Sequence, residues 1–163
     1  MNKKTLPFTK SQIEEIIKTY PTPFHIYDEK GLRENAKKLY KAFSRVPGFK
    51  NYFAVKANPN PHIIKILKEE GMGVDCSSLT ELILVEKLGF KGENIMFSSN
   101  DTAYREFKKA FDLEAIINLD DISHISILEK YAGIPELICF RYNPGPRRTG
   151  NRFIGIRKKQ SLG

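Results

Sequence analysis

At 163 residues, 40% hydrophobic and 28% charged, the chain has the size and composition of one globular domain with its own apolar core. No apolar run approaches the roughly 18–20 residues of a membrane-spanning helix, and the basic start MNKKTLPFTK lacks the apolar stretch of a secretory signal, so the expected compartment is the cytoplasm, with no membrane partner. The net charge of +8 does not mark a nucleic-acid binder, because Arg147, Arg148, Arg152, Arg157, Lys158 and Lys159 crowd into the acid-free residues 147–163 and leave the rest nearly balanced.

Two helix-like segments come first, Lys10–Tyr20 and Glu29–Arg45. Between them TPFHIYD, residues 22–28, predicts an extended outer strand, and Pro21 and Pro23 exclude helix there. Five strand-like runs follow, beginning at Asn51 (NYFAVK), Gly73 (GVDCS), Asn94 (NIMFSS), Ala115 (AIINLD) and Leu137 (LICFRYN), at steps of 22, 21, 21 and 22 residues. The intervals carry helical stripes: Ile63, Ile64, Ile66 and Leu67; Leu79, Leu82, Ile83, Val85 and Leu88; Tyr104, Phe107, Ala110 and Phe111; Ile122, Ile125, Leu128 and Tyr131. Asp101, and Asp121 or Ser123, stand where helices should begin, and Gly71, Gly89 and Gly133 where they should end. The strand runs are nearly continuous in hydrophobicity, the pattern of a parallel sheet covered on both faces.

Repeated strand–helix units predict an α/β fold. A doubly wound nucleotide-binding sheet would carry a glycine-rich turn after its first strand, whereas Ala57-Asn58-Pro59-Asn60-Pro61 holds no glycine. The short, even repeat favours an incomplete (β/α)8 TIM-type barrel of about five parallel strands, preceded by helices and one extra strand. The expected division is residues 1–45 (helices and outer strand), 46–146 (partial barrel) and 147–163 (a basic tail, read as a possible out-of-frame ending). Five strands are too few to close a barrel, so the chain is expected to be a truncated fragment, inactive and poorly soluble or oligomeric by itself.

Barrel chemistry belongs at the C-terminal ends of the strands. Those ends offer Lys56 and Asn58; Asp75, Cys76 and Ser78; Ser98, Ser99 and Asn100; Asn118 and Asp120; and Arg141 and Asn143. A lysine ending an apolar strand either reaches solvent or serves as a nucleophile toward an aldehyde, and the residues alone leave both readings open. Asp75 either orients a cation or caps the next helix. Glu81 suits the first turn of that helix whatever else it does. Arg141, inside an apolar run, calls for an anionic partner. Cys76 and Cys139 read as packing thiols without metal-ligand spacing, and His25, His62 and His124 as surface or packing residues.

TPFHIYD at 22–28, YFAVKAN at 52–58, GVDCSSLTEL at 73–82 and FRYNPG at 140–145 together resemble the alanine-racemase-like, fold-type III decarboxylases that use pyridoxal 5'-phosphate, most of all the diaminopimelate decarboxylases. The resemblance implies that Lys56 holds the cofactor covalently, that Asp75, Ser78, Glu81 and Arg141 lie around it, and that the full-length enzymes are homodimers. It implies decarboxylation of a diamino acid, meso-diaminopimelate to L-lysine, within lysine biosynthesis. The alternatives are an ornithine- or arginine-type decarboxylase, another barrel binding the same cofactor, and a non-catalytic partner or decoy subunit of a full-length relative.

Overall fold

The computed structural model describes residues 6–142. Asn143 and the basic tail lie outside the described residues. The chain divides into two compact units, Met1–Phe49 and Lys50–Gly163.

In the first unit, helix α1 (Lys10–Thr19) opens with a capping box. The Thr9 hydroxyl accepts the Gln12 N–H at 3.3 Å, and Gln12 Oε1 accepts the Thr9 N–H at 2.8 Å. Helix α2 (Glu29–Ala42) starts at Asp28, whose Oδ1 accepts the Gly31 N–H at 3.0 Å. An aromatic cluster follows it, with the Phe43 and Phe49 rings stacked at 4.2 Å and Tyr40 edge-on to Phe49. The expected outer strand at residues 22–28 does not form. A strand needs a neighbour to satisfy its N–H and C=O groups, Pro23 has no N–H to give, and no other strand among the described residues pairs with this segment.

The second unit alternates strand and helix: β1 (Tyr52–Ala54), α3 (Pro61–Glu69), β2 (Gly73–Cys76), α4 (Leu79–Lys87), β3 (Ile95–Phe97), α5 (Tyr104–Asp112), β4 (Ile116–Leu119), α6 (His124–Tyr131) and β5 (Ile138–Phe140). Every strand starts within one residue of its expected position. The sheet is parallel throughout and its spatial order is the chain order, β1-β2-β3-β4-β5. Each right-handed crossover therefore delivers its helix to the same side of the sheet, which is barrel winding and not the reversing order of a doubly wound fold.

Burial shows the same one-sidedness. Val74, Cys76, Ile95, Phe97, Ile117 and Leu119 are 0–1% exposed and join Ile64, Leu82, Val85, Phe107, Ala110 and Leu128 of the helices in one core. The alternate residues Asp75, Met96, Ile116 and Asn118 remain half-buried. The expectation of a sheet covered on both faces is thus corrected: among the described residues, only the helix side is sealed. Gly73 is fixed by close packing, since a Cβ there would stand 2.6 Å from the Tyr52 ring and 2.9 Å from the Asn94 carbonyl oxygen.

Helices α3, α4 and α5 end in the same way. After α3, Met72 N–H reaches the Leu67 carbonyl (3.0 Å) and Gly71 N–H the Lys68 carbonyl (2.9 Å); Phe90 and Gly89 repeat this after α4, and Ala115 and Glu114 after α5. The left-handed position is glycine in the first two and Glu114, at φ 56°, in the third. A side chain there is strained by roughly 1–2 kcal/mol, while the Glu114–Lys91 ion pair is exposed at both ends and contributes little. Glu114→Gly is therefore expected to raise stability by about 0.5–1 kcal/mol, measured as a higher urea midpoint; an unchanged or lower midpoint contradicts it.

Candidate active site

Register collects the polar residues on the open side of the sheet. Ala54, Asp75, Met96 and Ile116 stand side by side across four strands, and Asn118 is level with Cys139. Since parallel neighbours share a face and side chains alternate along a strand, Ser98, Asp120 and Arg141 continue those rows at the C-terminal rim. Lys56 lies just past β1, on a 3-10 turn (Val55–Ala57), and not in the strand itself. The turn buries Val55 completely and leaves the Lys56 side chain exposed. Asn58 closes the turn, its N–H bonded to the Val55 carbonyl at 3.1 Å.

Asp75 is the electrostatic centre. Its Oδ1 accepts a hydrogen bond from the Ser98 hydroxyl at 2.5 Å. Burial raises its pKa above the ordinary carboxylate value; the Ser98 bond and the positive charges of Lys56 and Arg141 pull it down, and Glu81 pushes it up. Four of the residues selected from sequence, Lys56, Asp75, Glu81 and Arg141, therefore share one field. Because the folded chain holds the Asp75 proton more tightly than the unfolded chain does, this group favours folding at low pH and opposes it as pH rises through its folded value. Asp75→Asn, whose amide carbonyl can still accept from Ser98, is expected to raise the urea midpoint at neutral pH. The gain should fade as pH drops into the carboxylate range, and a gain that grows on acidification would contradict this account.

The helix after β2 is capped by Ser78 and not by Asp75: Ser78 Oγ accepts the Glu81 N–H at 3.3 Å. Glu81, on the first turn of α4, accepts the Ser77 N–H at 2.8 Å and lies within 3.2 Å of the Ser77 hydroxyl. The anionic partner that Arg141 called for is Asp120, one repeat back at the end of β4, with Nη1 and Oδ1 2.8 Å apart. The Arg141 backbone N–H bonds the Leu119 carbonyl at 2.8 Å and fixes the height of the pair.

The cysteines separate by face. Cys76 is fully enclosed on the helix side, and burial, reinforced by Glu81 and Asp75, drives its thiol far above the usual range. Cys139, read from sequence as a packing thiol, is half-exposed on the open side, and both thiols are free. His25 and His62 are exposed, and His124 packs edge-on against Phe107.

Glu106 was not legible as part of this rim. Its two carboxylate oxygens accept the Leu79 N–H (3.0 Å) and the Ala103 N–H (2.9 Å), joining the start of α4 to the start of α5 beside the Ser77–Ser78 turn. Ala103 is the residue before α5, a position with no capping side chain, and not Asp101, where the sequence puts the helix start. The available signal was a glutamate three residues into a helix that lacks a polar cap.

Residues 30–161 match the family model described as pyridoxal-dependent decarboxylase, pyridoxal binding domain. The chain belongs to this family. Protein TabA of Pseudomonas amygdali pv. tabaci is 42% identical over 132 residues, 81% of this chain and 30% of that protein. A diaminopimelate decarboxylase of Methanothermobacter thermautotrophicus is 36% identical over 131 residues, 80% and 31% of the two chains. The crystal structure of diaminopimelate decarboxylase from Helicobacter pylori complexed with L-lysine aligns at a TM-score of 0.70 and 31% identity, over 82% of this chain and 34% of that one. The chain thus spans about a third of the length of these relatives. Its place in the family bears out the fold-type III resemblance, the partial-barrel fold and pyridoxal phosphate as the cofactor. No helix among the described residues is long and apolar enough to cross a membrane.

Proposed function

We propose that this chain is the cofactor-attaching part of a pyridoxal phosphate-dependent decarboxylase for a diamino acid, with meso-diaminopimelate as substrate and L-lysine as product. The observation that carries the reading is the placement of an exposed primary amine, Lys56, at the rim of the open sheet face, within the field of a half-buried carboxylate, Asp75. Such an amine suits covalent attachment of an aldehyde. The cofactor, when bound, supplies the electron sink for the carbon that loses its carboxylate. The chain's own residues prepare the surroundings: Asp75 supplies a negative charge beside the amine, Arg141 a positive one steadied by Asp120, and Ser78 and Glu81 hold the turn between β2 and α4 in one shape. The diaminopimelate decarboxylases among the relatives support the substrate. The homodimer belongs to the same proposal.

Addition of pyridoxal phosphate to the purified chain is expected to produce a new visible absorption band. Added meso-diaminopimelate should alter that band at lower concentration than L-ornithine or L-arginine. Absence of any band removes the cofactor reading; a stronger response to ornithine or arginine removes the substrate reading alone.

A further inference from the structure

Asp75 is held from one side only. Its Oδ1 accepts from Ser98, while Oδ2 has no hydrogen-bond partner among the described residues and is not sealed from solvent. Ser98 can do this because it is itself fixed: its backbone N–H bonds the Cys76 carbonyl at 2.8 Å, extending the β2–β3 ladder one step past Phe97. The remaining groups that act on Asp75 come from three other elements and do so through space: Lys56 from the turn after β1, Glu81 from α4, and Arg141 from the end of β5, where Asp120 at the end of β4 pairs with it. Rotation of the carboxylate about its Cα–Cβ and Cβ–Cγ bonds is opposed by a single directional contact.

We propose that Ser98 is a positioning residue: by holding Oδ1 it aims the free Oδ2 of Asp75 into the rim occupied by Lys56 and keeps a carboxylate there as counter-ion to the amine. This rests on the reading of Lys56 as the cofactor-attaching amine. Of the influences that favour the ionised form of Asp75, the Ser98 hydrogen bond is the largest, ahead of Lys56 and Arg141. A hydroxyl donor at 2.5 Å to a carboxylate is short and charge-assisted, and carries both orientation and ionisation. Glu81 cannot substitute, being itself an anion already engaged by Ser77.

The test uses the full 163-residue chain with Ser98→Ala and Ser98→Thr. The Asp75 carboxyl is followed by carbon-13 NMR across pH without cofactor, its signal assigned by loss in Asp75→Asn. Ser98→Ala is expected to move the Asp75 titration upward, and Ser98→Thr to restore it. The pH dependence of borohydride-trapped pyridoxal phosphate adduct should move with it in Ser98→Ala and return in Ser98→Thr. If Ser98→Ala does not fold, Ser98→Cys, close in volume but a weak donor, carries the same prediction. An Asp75 titration unchanged by loss of the hydroxyl, or a threonine variant that behaves like alanine, overturns the proposal. A wild-type chain that forms no adduct while Ser98→Ala still moves the Asp75 titration overturns the Lys56 reading and leaves the Ser98–Asp75 hold standing.

Discussion

Replacing Lys56 by alanine or by arginine is expected to cut borohydride-trapped pyridoxal phosphate by roughly tenfold or more. The two substitutions separate the available explanations. Alanine removes both charge and nucleophile. Arginine keeps the charge but cannot lose its proton at any usable pH and does not attack an aldehyde. If Lys56 merely attracted the anionic cofactor, arginine would retain the adduct; if Lys56 forms the bond, arginine fails as alanine does. The fold should tolerate either change, because the side chain is exposed on a turn whose anchor is the fully buried Val55. Equal folding by circular dichroism with unequal trapping is therefore the expected pattern, and undiminished trapping in both variants contradicts it.

The second large effect concerns the core. Phe97 is 1% exposed on the central strand, and its ring meets Phe107 edge-to-face at 6.3 Å. Phe97→Ala should cost about 3–5 kcal/mol, a large share of the ~5–15 kcal/mol that holds a domain of this size together. Met96 precedes it on the same strand but faces the open side and is only half-buried. Met96→Ala should cost clearly less, because most of its surface change occurs where water already reaches. Urea unfolding of the two variants measures the difference. Equal losses would contradict the conclusion that the helices seal one side of the sheet only.

That one-sidedness explains what the sequence could and could not reveal. The five strands were legible because each is an apolar run of fixed spacing, and two of the three well-capped helix ends carry the glycine that the left-handed turn favours. The third uses Glu114 and leaves no such mark. Residues 22–28 read as a strand on local grounds, but a strand is a relation between two segments, and sequence alone could not supply the second. The apolar run puts Lys56 at a strand end, but nothing in it marks the short 3-10 turn that lifts the side chain out. Arg141 announced its need for an anion without naming it. Asp120 lies one repeat away, as Ser98 does from Asp75, and such pairs are created by register across neighbouring strands. Glu106 escaped because it caps a helix whose N-cap position is held by an alanine.

The central claim is that the amine at the rim beyond the first barrel strand is the attachment point for an aldehyde cofactor. Mass-spectrometric mapping of the wild-type chain, after incubation with pyridoxal phosphate and reduction with borohydride, tests it most directly. The predicted result is one dominant modified peptide, carrying the label on Lys56. A label distributed among the exposed lysines of α2 and α5, with Lys56 no more modified than the others, would contradict it.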